Sequence, residues 1–175
     1  MPLSGLSGSY APWAMREITL RFDRLPITIY GVSIRLKGYT DRGWEDCDIG
    51  QIPIPVPIDM YFTATMPDSV TAGSWRARTF ITCPVDIWGV TPFPPCEFDV
   101  MISFLPMDGA SWDFLRAGRA HIALSSEPGP INGGFDCNHQ DPMGHLYLAT
   151  LVIDADFQIG TRPSTWGSIK ALFPR

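Results

Sequence analysis

A chain of 175 residues, 45% hydrophobic and 18% charged with a formal net charge of −5, is long enough for one compact domain and short for two. Its 16 glycines and 17 prolines exclude a coiled coil, and its hydrophobic content excludes a charge-rich disordered tail. The acidic balance excludes a binder that relies on phosphate-backbone attraction, so no nucleic-acid partner is expected, and no apolar run approaches the ~18 residues of a membrane span.

A chain of this size can bury about 70% of its unfolded surface. The core therefore needs no metal or cofactor, and none is expected. The segment Met1-Pro2-Leu3-Ser4-Gly5-Leu6-Ser7-Gly8-Ser9-Tyr10 has neither a basic n-region nor an apolar h-region, so no signal peptide is visible in it. Residues 1–15 read as an N-terminal arm and residues 16–175 as one β-sandwich domain.

Turn signals recur every 8–15 residues, the rhythm of an all-β domain. Glu17-Ile18-Thr19-Leu20-Arg21-Phe22 alternates polar and apolar, as a half-buried strand does. Ile27 to Tyr30 and Val32 to Lys37 repeat the pattern across Gly31, which reads as a bulge. In Ile52-Pro53-Ile54-Pro55-Val56-Pro57-Ile58 the prolines strip the donors from one edge, predicting an outer strand that pairs on one side only. Ser74 to Thr82 places Trp75, Ala77, Thr79 and Ile81 on one face and Arg76, Arg78 and Phe80 on the other. A long proline-rich loop from Cys83 to Cys96 follows.

Glu97 to Leu105, apolar around Phe98, Val100, Ile102 and Phe104, reads as a central strand covered on both faces. Ser111 to Gly118 carries an N-cap serine and a closing glycine, the marks of one or two helical turns. Arg119 to Ser125 reads as a strand, and Glu127 to Gly134 as a loop. His145 to Ile159 is the longest strand expected, with Tyr147, Ala149, Leu151 and Ile153 on one face. Residues 164–173 have the pattern of a short capped helix. Seven or eight strands with one or two short helices point to a single-domain β-sandwich, jelly-roll or immunoglobulin-like, between which the sequence does not choose.

Cys83 and Cys96 bracket the proline-rich loop, and a disulfide between them would leave Cys47 and Cys137 to pair; this is the preferred of three connectivities. Cys137, His139, Asp141 and His145 fall within nine residues, a weak zinc candidate because no closed-site spacing occurs. Asp46, Asp48, Asp136 and Asp141 could meet calcium but lack the regular ladder of a calcium loop. Turn formation by Asp and Asn side chains explains these residues better, so no metal site is expected. G-x-S-x-G, H-E-x-x-H, P-loop and G-x-G-x-x-G motifs are all absent, and no catalytic residue is assigned.

Trp44, Trp88 and Phe93 lie in or near loops, where aromatic rings make contact surfaces. The expectation is a non-catalytic, self-associating β-sandwich subunit of a larger assembly, such as a capsid, decoration, filament or surface layer. Its partners would be other copies of itself or neighbouring subunits, and its setting extracellular or virion-associated. The alternative is an extracellular carbohydrate- or ligand-binding module that uses the loop aromatics.

Overall fold

The computed structural model describes residues 1–22, 25–41, 43–46, 56–67, 73–81, 95–107, 111–129 and 138–157, with the backbone alone at 44–46, 56–57, 106–107 and 138–139. Among them the elements run β1 (Gly8–Tyr10), β2 (Met15–Arg21), β3 (Pro26–Asp41), β4 (Gly43–Asp46), β5 (Val56–Ile58), β6 (Met60–Pro67), β7 (Ser74–Ile81), β8 (Cys96–Ser103), β9 (Leu105–Met107), α1 (Asp113–Arg116), β10 (Arg119–Pro128), β11 (Asn138–Gln140) and β12 (Met143–Phe157). A 3-10 turn, Ser4–Leu6, precedes β1.

Four antiparallel pairs are nested in the chain: β6 with β7 innermost, then β3 with β8, β2 with β10, and β1 with β12 outermost. Such a nest is one long ribbon of paired strands. Folding it over so that β12 also pairs with β3, and β10 with β6, distributes the pairs between two sheets. Their orders are β1-β12-β3-β8 and β2-β10-β6-β7-β9. This is the double-sheet jelly roll. The immunoglobulin arrangement keeps the first two strands in one sheet, whereas here they lie in different ones. A three-stranded sheet, β11-β4-β5, sits where β3 ends and β12 begins.

Period-2 alternation builds the core. Val32, Ile34 and Leu36 of β3 are buried while Ser33, Arg35 and Lys37 turn outward. Facing them from the other sheet are buried Phe62, Ala64 and Met66 of β6 and Ile122 and Leu124 of β10. Each such aliphatic stabilises by about 1.5–3 kcal/mol on burial. The N-terminal segment contributes to this core: Leu3, Leu6 and Tyr10 are fully buried, and Pro2 bridges Thr150 of β12. The Tyr10 hydroxyl donates to the Leu6 carbonyl at 2.7 Å, and burial pushes its pKa up. Arg16 of β2 donates to the carbonyls of Ser7 and Ser9, tying the edges of the two sheets together.

Several expectations hold. β7 buries Trp75, Ala77 and Ile81. The strands on either side of Gly31 form one strand, β3, with a register shift between the Asp154–Gly31 and Ala155–Ile29 pairs. Ser111 to Gly118 gives a single helical turn, α1, whose N-cap is Trp112 rather than Ser111 and which Gly118 closes at φ +76°. β5 joins an outer three-stranded sheet, Pro57 opposite Trp44; residues 52–55 lie outside the described residues, as do 164–173.

Three expectations are corrected. β8 is an edge strand, not a central one: Phe98, Val100 and Ile102 share one parity and face inward, while the alternate residues Glu97, Asp99, Met101 and Ser103 are exposed. In β12 the register shifts between Leu146 and Leu148, so Tyr147 leaves the inner face and is exposed while Ala149 and Leu151 stay buried. Glu127 and Pro128, expected in a loop, extend β10 opposite Tyr61 and Met60.

Candidate interaction surface

Ala11 to Ala14 connect β1 to β2 in a tight turn. The Ala14 amide donates to the Ala11 carbonyl at 3.0 Å, Pro12 supplies the fixed φ of the first corner, and Trp13 occupies the second at φ +64°. That second corner of a type II turn ordinarily takes glycine. A bulky side chain there costs about 1–2 kcal/mol. The strain is held by β10: the Trp13 amide donates to the Ser126 carbonyl at 2.9 Å, and the buried Ser126 hydroxyl donates to the Ala11 carbonyl at 2.7 Å. Trp13 is 72% exposed, so its ring contributes little to the core that strains it. Met15, 62% exposed, follows on the outer face of β2.

The outer faces of the two sheets differ. On the four-stranded sheet, Asp99 takes two hydrogen bonds from Arg35 and an ion pair from Lys37 at 2.8 Å. Hydrogen bonding first to Arg35 and then to Lys37 holds the Asp99 carboxyl well below the usual carboxylate range. Lys37, Glu97, Phe98, Asp99 and Tyr147 line an open cleft of about 340 Å³. On the five-stranded sheet, Arg78 lies over the Tyr61 ring at 4.2 Å and meets Glu127 at 3.3 Å, with Tyr61 and Phe80 packed together at 4.3 Å.

A Ser–His–Asp trio crosses three strands of the first sheet. The Ser9 hydroxyl and His145 Nδ1 are 3.0 Å apart, His145 Nε2 and Asp41 Oδ2 are 2.9 Å apart, and Tyr39 stacks on the imidazole at 4.5 Å. The ring nitrogens have roles opposite to those of a hydrolase relay, where Nε2 faces the serine, and none of the trio lines the cleft. The register places Ser9 opposite His145 and His145 opposite Tyr39, so the trio is a cross-strand clip that holds β1. Thr19, His121 and Glu17 make a looser version on the other sheet.

Of the expected contact aromatics, Trp88 and Phe93 lie outside the described residues, and Trp44 is placed by its backbone in β4, opposite Gln140 of β11. Trp75 and Trp112 are structural, stacked at 3.3 Å, with the Trp75 indole donating to the Ser111 carbonyl. Of the weak zinc candidates, Cys137 lies outside the described residues, His139 is placed by backbone alone in β11, Asp141 is exposed, and both ring nitrogens of His145 are engaged. Among the described residues no three His, Cys, Asp or Glu side chains are grouped to hold a metal. Cys96 heads β8, half-buried, while Cys47, Cys83 and Cys137 lie outside the described residues. Sequence reasoning passed over Trp13; the Pro-Trp pair in a short turn between two strands was its only signal.

Fold and surface together define a single-domain jelly-roll β-sandwich that turns strained and apolar side chains outward. No protein-family model matches the chain, and no curated protein is similar enough to match it.

Proposed function

We propose that this protein is a structural, self-associating jelly-roll subunit of a larger assembly of the capsid, decoration, filament or surface-layer kind, without catalytic activity. The observation that carries the reading is Trp13, a 72% exposed indole in a left-handed backbone conformation held by Ser126. Strain of this kind persists where the surroundings impose it and concentrates at functional sites, and tryptophan is the side chain most enriched among binding hot spots. Trp44, Trp88 and Phe93 are proposed to extend the contact surface. Disulfides Cys83–Cys96 and Cys47–Cys137 belong to the same reading, with an extracellular or virion-associated setting to maintain them.

Sedimentation velocity over a concentration series, with negative-stain imaging, tests the proposal. Oligomers or particles that Trp13→Ala weakens are expected. A monomer of constant sedimentation coefficient at every concentration would refute it. A second reading, a carbohydrate-binding module, is favoured by the cleft that sets exposed Tyr147 beside Glu97 and Asp99; aromatic faces and carboxylates are the groups such a ligand would use. Glycan-array binding abolished by Tyr147→Ala would support it, and an array without binders would count against it.

A further inference from the structure

β3 and β12 run further than the strands beside them. β8 accompanies β3 only from Ser33 to Thr40, with one more bond from the Phe104 amide to the Val32 carbonyl. On the other edge, β1 and the N-terminal residues accompany β12 only as far as Leu151. Beyond that, Pro26 to Gly31 and Asp154 to Phe157 pair with each other alone among the described residues. A two-stranded ribbon is marginal in water by itself. This one exposes Ile27 (55%), Tyr30 (65%) and Phe157, and Val152 is exposed just before it. Its only charges are Asp154 and Asp156, exposed on the same side of β12, with Tyr30 donating its hydroxyl to Asp156 at 2.7 Å.

The complementary feature lies on the other sheet. Arg21 of β2 and Arg119 of β10 stand directly opposite one another, both exposed. Like charges in that register destabilise a sheet. Three arginines elsewhere have a carboxylate partner: Arg35 has Asp99, Arg78 has Glu127, and Arg116 has Asp113. Arg21 and Arg119 have no carboxylate within ion-pair distance among the described residues. Leu25, 50% exposed, lies close by, in van der Waals reach of Gly118.

We propose that the Arg21–Arg119 pair of one copy receives the Asp154 and Asp156 carboxylates of a second copy, with Tyr30 and Ile27 of the ribbon and the adjoining Val152 packing beside Leu25. The occupant is a copy of this chain because the two patches match in sign, in number of charges and in having an apolar margin. The carboxylates of alternate residues on one strand stand about 7 Å apart, and cross-strand neighbours about 5 Å, so each carboxylate can take its own guanidinium. Charge complementarity of this kind sets register and partner choice. The inference rests on the self-association proposed above and names its surface.

The test is a charge swap in the full chain. D154R/D156R alone and R21E/R119E alone should each weaken self-association at least about tenfold, because each sets like charges against like. Mixing the two variants should restore it, since each then meets its complement, and neither variant failing to fold could produce that rescue. The milder D154N/D156N, checked for an unchanged melting temperature, should also weaken association and reduce its sensitivity to salt. Association of the wild type with no effect of the double variants, or weakening without rescue on mixing, overturns this surface while leaving self-association standing. A wild type that is monomeric throughout overturns both.

Discussion

Ser126 holds Trp13 from two sides: its carbonyl accepts the Trp13 amide at 2.9 Å, and its hydroxyl, buried with the rest of the residue, donates at 2.7 Å to the Ala11 carbonyl at the start of the same turn. A core strand thus fixes a turn whose second corner suits glycine, and the residue there projects a tryptophan into solvent.

Trp13→Gly should raise the stability of the isolated subunit by about 1 kcal/mol, because the left-handed strain is relieved and an indole 72% exposed surrenders little burial. The same change should weaken association. Denaturant unfolding of the subunit and sedimentation of the variant check the two halves, and a loss of stability would mean that the ring packs more than its exposure indicates.

Gly38 of β3 lies opposite Leu146 of β12. A Cβ there would lie 2.1 Å from the His145 carbonyl oxygen and 3.1 Å from the Phe98 ring, and a strand backbone paired on both sides has little room to move. Gly38→Ala should therefore cost about 3 kcal/mol. Gly31→Ala, with nothing within 4 Å of the added carbon, should stay within about 0.5 kcal/mol of the wild type. Urea midpoints of the two variants decide.

Ile34 is fully buried on β3, between two neighbouring strands, whereas Ile102 is half-buried on the edge strand β8. Ile34→Ala should cost about 2–5 kcal/mol through the cavity it leaves, and Ile102→Ala less than half of that. Equal losses would contradict the placing of β8 at the sheet edge.

Asp99 is held ionised by Arg35 and Lys37. Its folded pKa lies below the unfolded value of about 3.9, so its stabilisation is present above that pH and is lost as pH falls through the folded value. A carboxyl NMR titration should place its midpoint well below that of an ordinary aspartate, and Arg35→Met should shift it upward. The group is exposed, so added salt should shrink the difference.

Cys96 begins β8 directly after the segment from Cys83, and pairing these two closes a loop of about 14 residues, stabilising by about 3 kcal/mol in the chain-entropy account. Alkylation without reductant should leave all four cysteines of the chain unmodified, and peptide mapping should recover the Cys83–Cys96 link. Full alkylation without reductant would refute the pairing.

Period-2 alternation made most of the sandwich legible in the sequence. Ile18 and Leu20, Val32 to Leu36, and Trp75 to Ile81 each announce a strand and the face it buries, because side chains alternate along an extended chain and only one face meets the core. The same local rule misled where pairing decides: Glu97 to Leu105 looked central because its apolar residues are dense, yet among the described residues β8 has a paired neighbour on one side only. Tyr147 went to the wrong face because a bulge depends on the partner strand and inverts alternation. Trp13 was passed over because its strain is set by Ser126, 113 residues away in the chain.

Composition and alternation by themselves determined an all-β sandwich and most of its buried faces, since burial of alternate side chains is a local property. The choice of jelly roll over immunoglobulin order, the edge position of β8, the outward Trp13 and the facing pair Arg21 and Arg119 belonged to the tertiary structure. Each depends on which strands lie side by side, and strand neighbours are set by contacts between residues up to about 150 positions apart, as where Met1 meets Leu151, which no local pattern encodes.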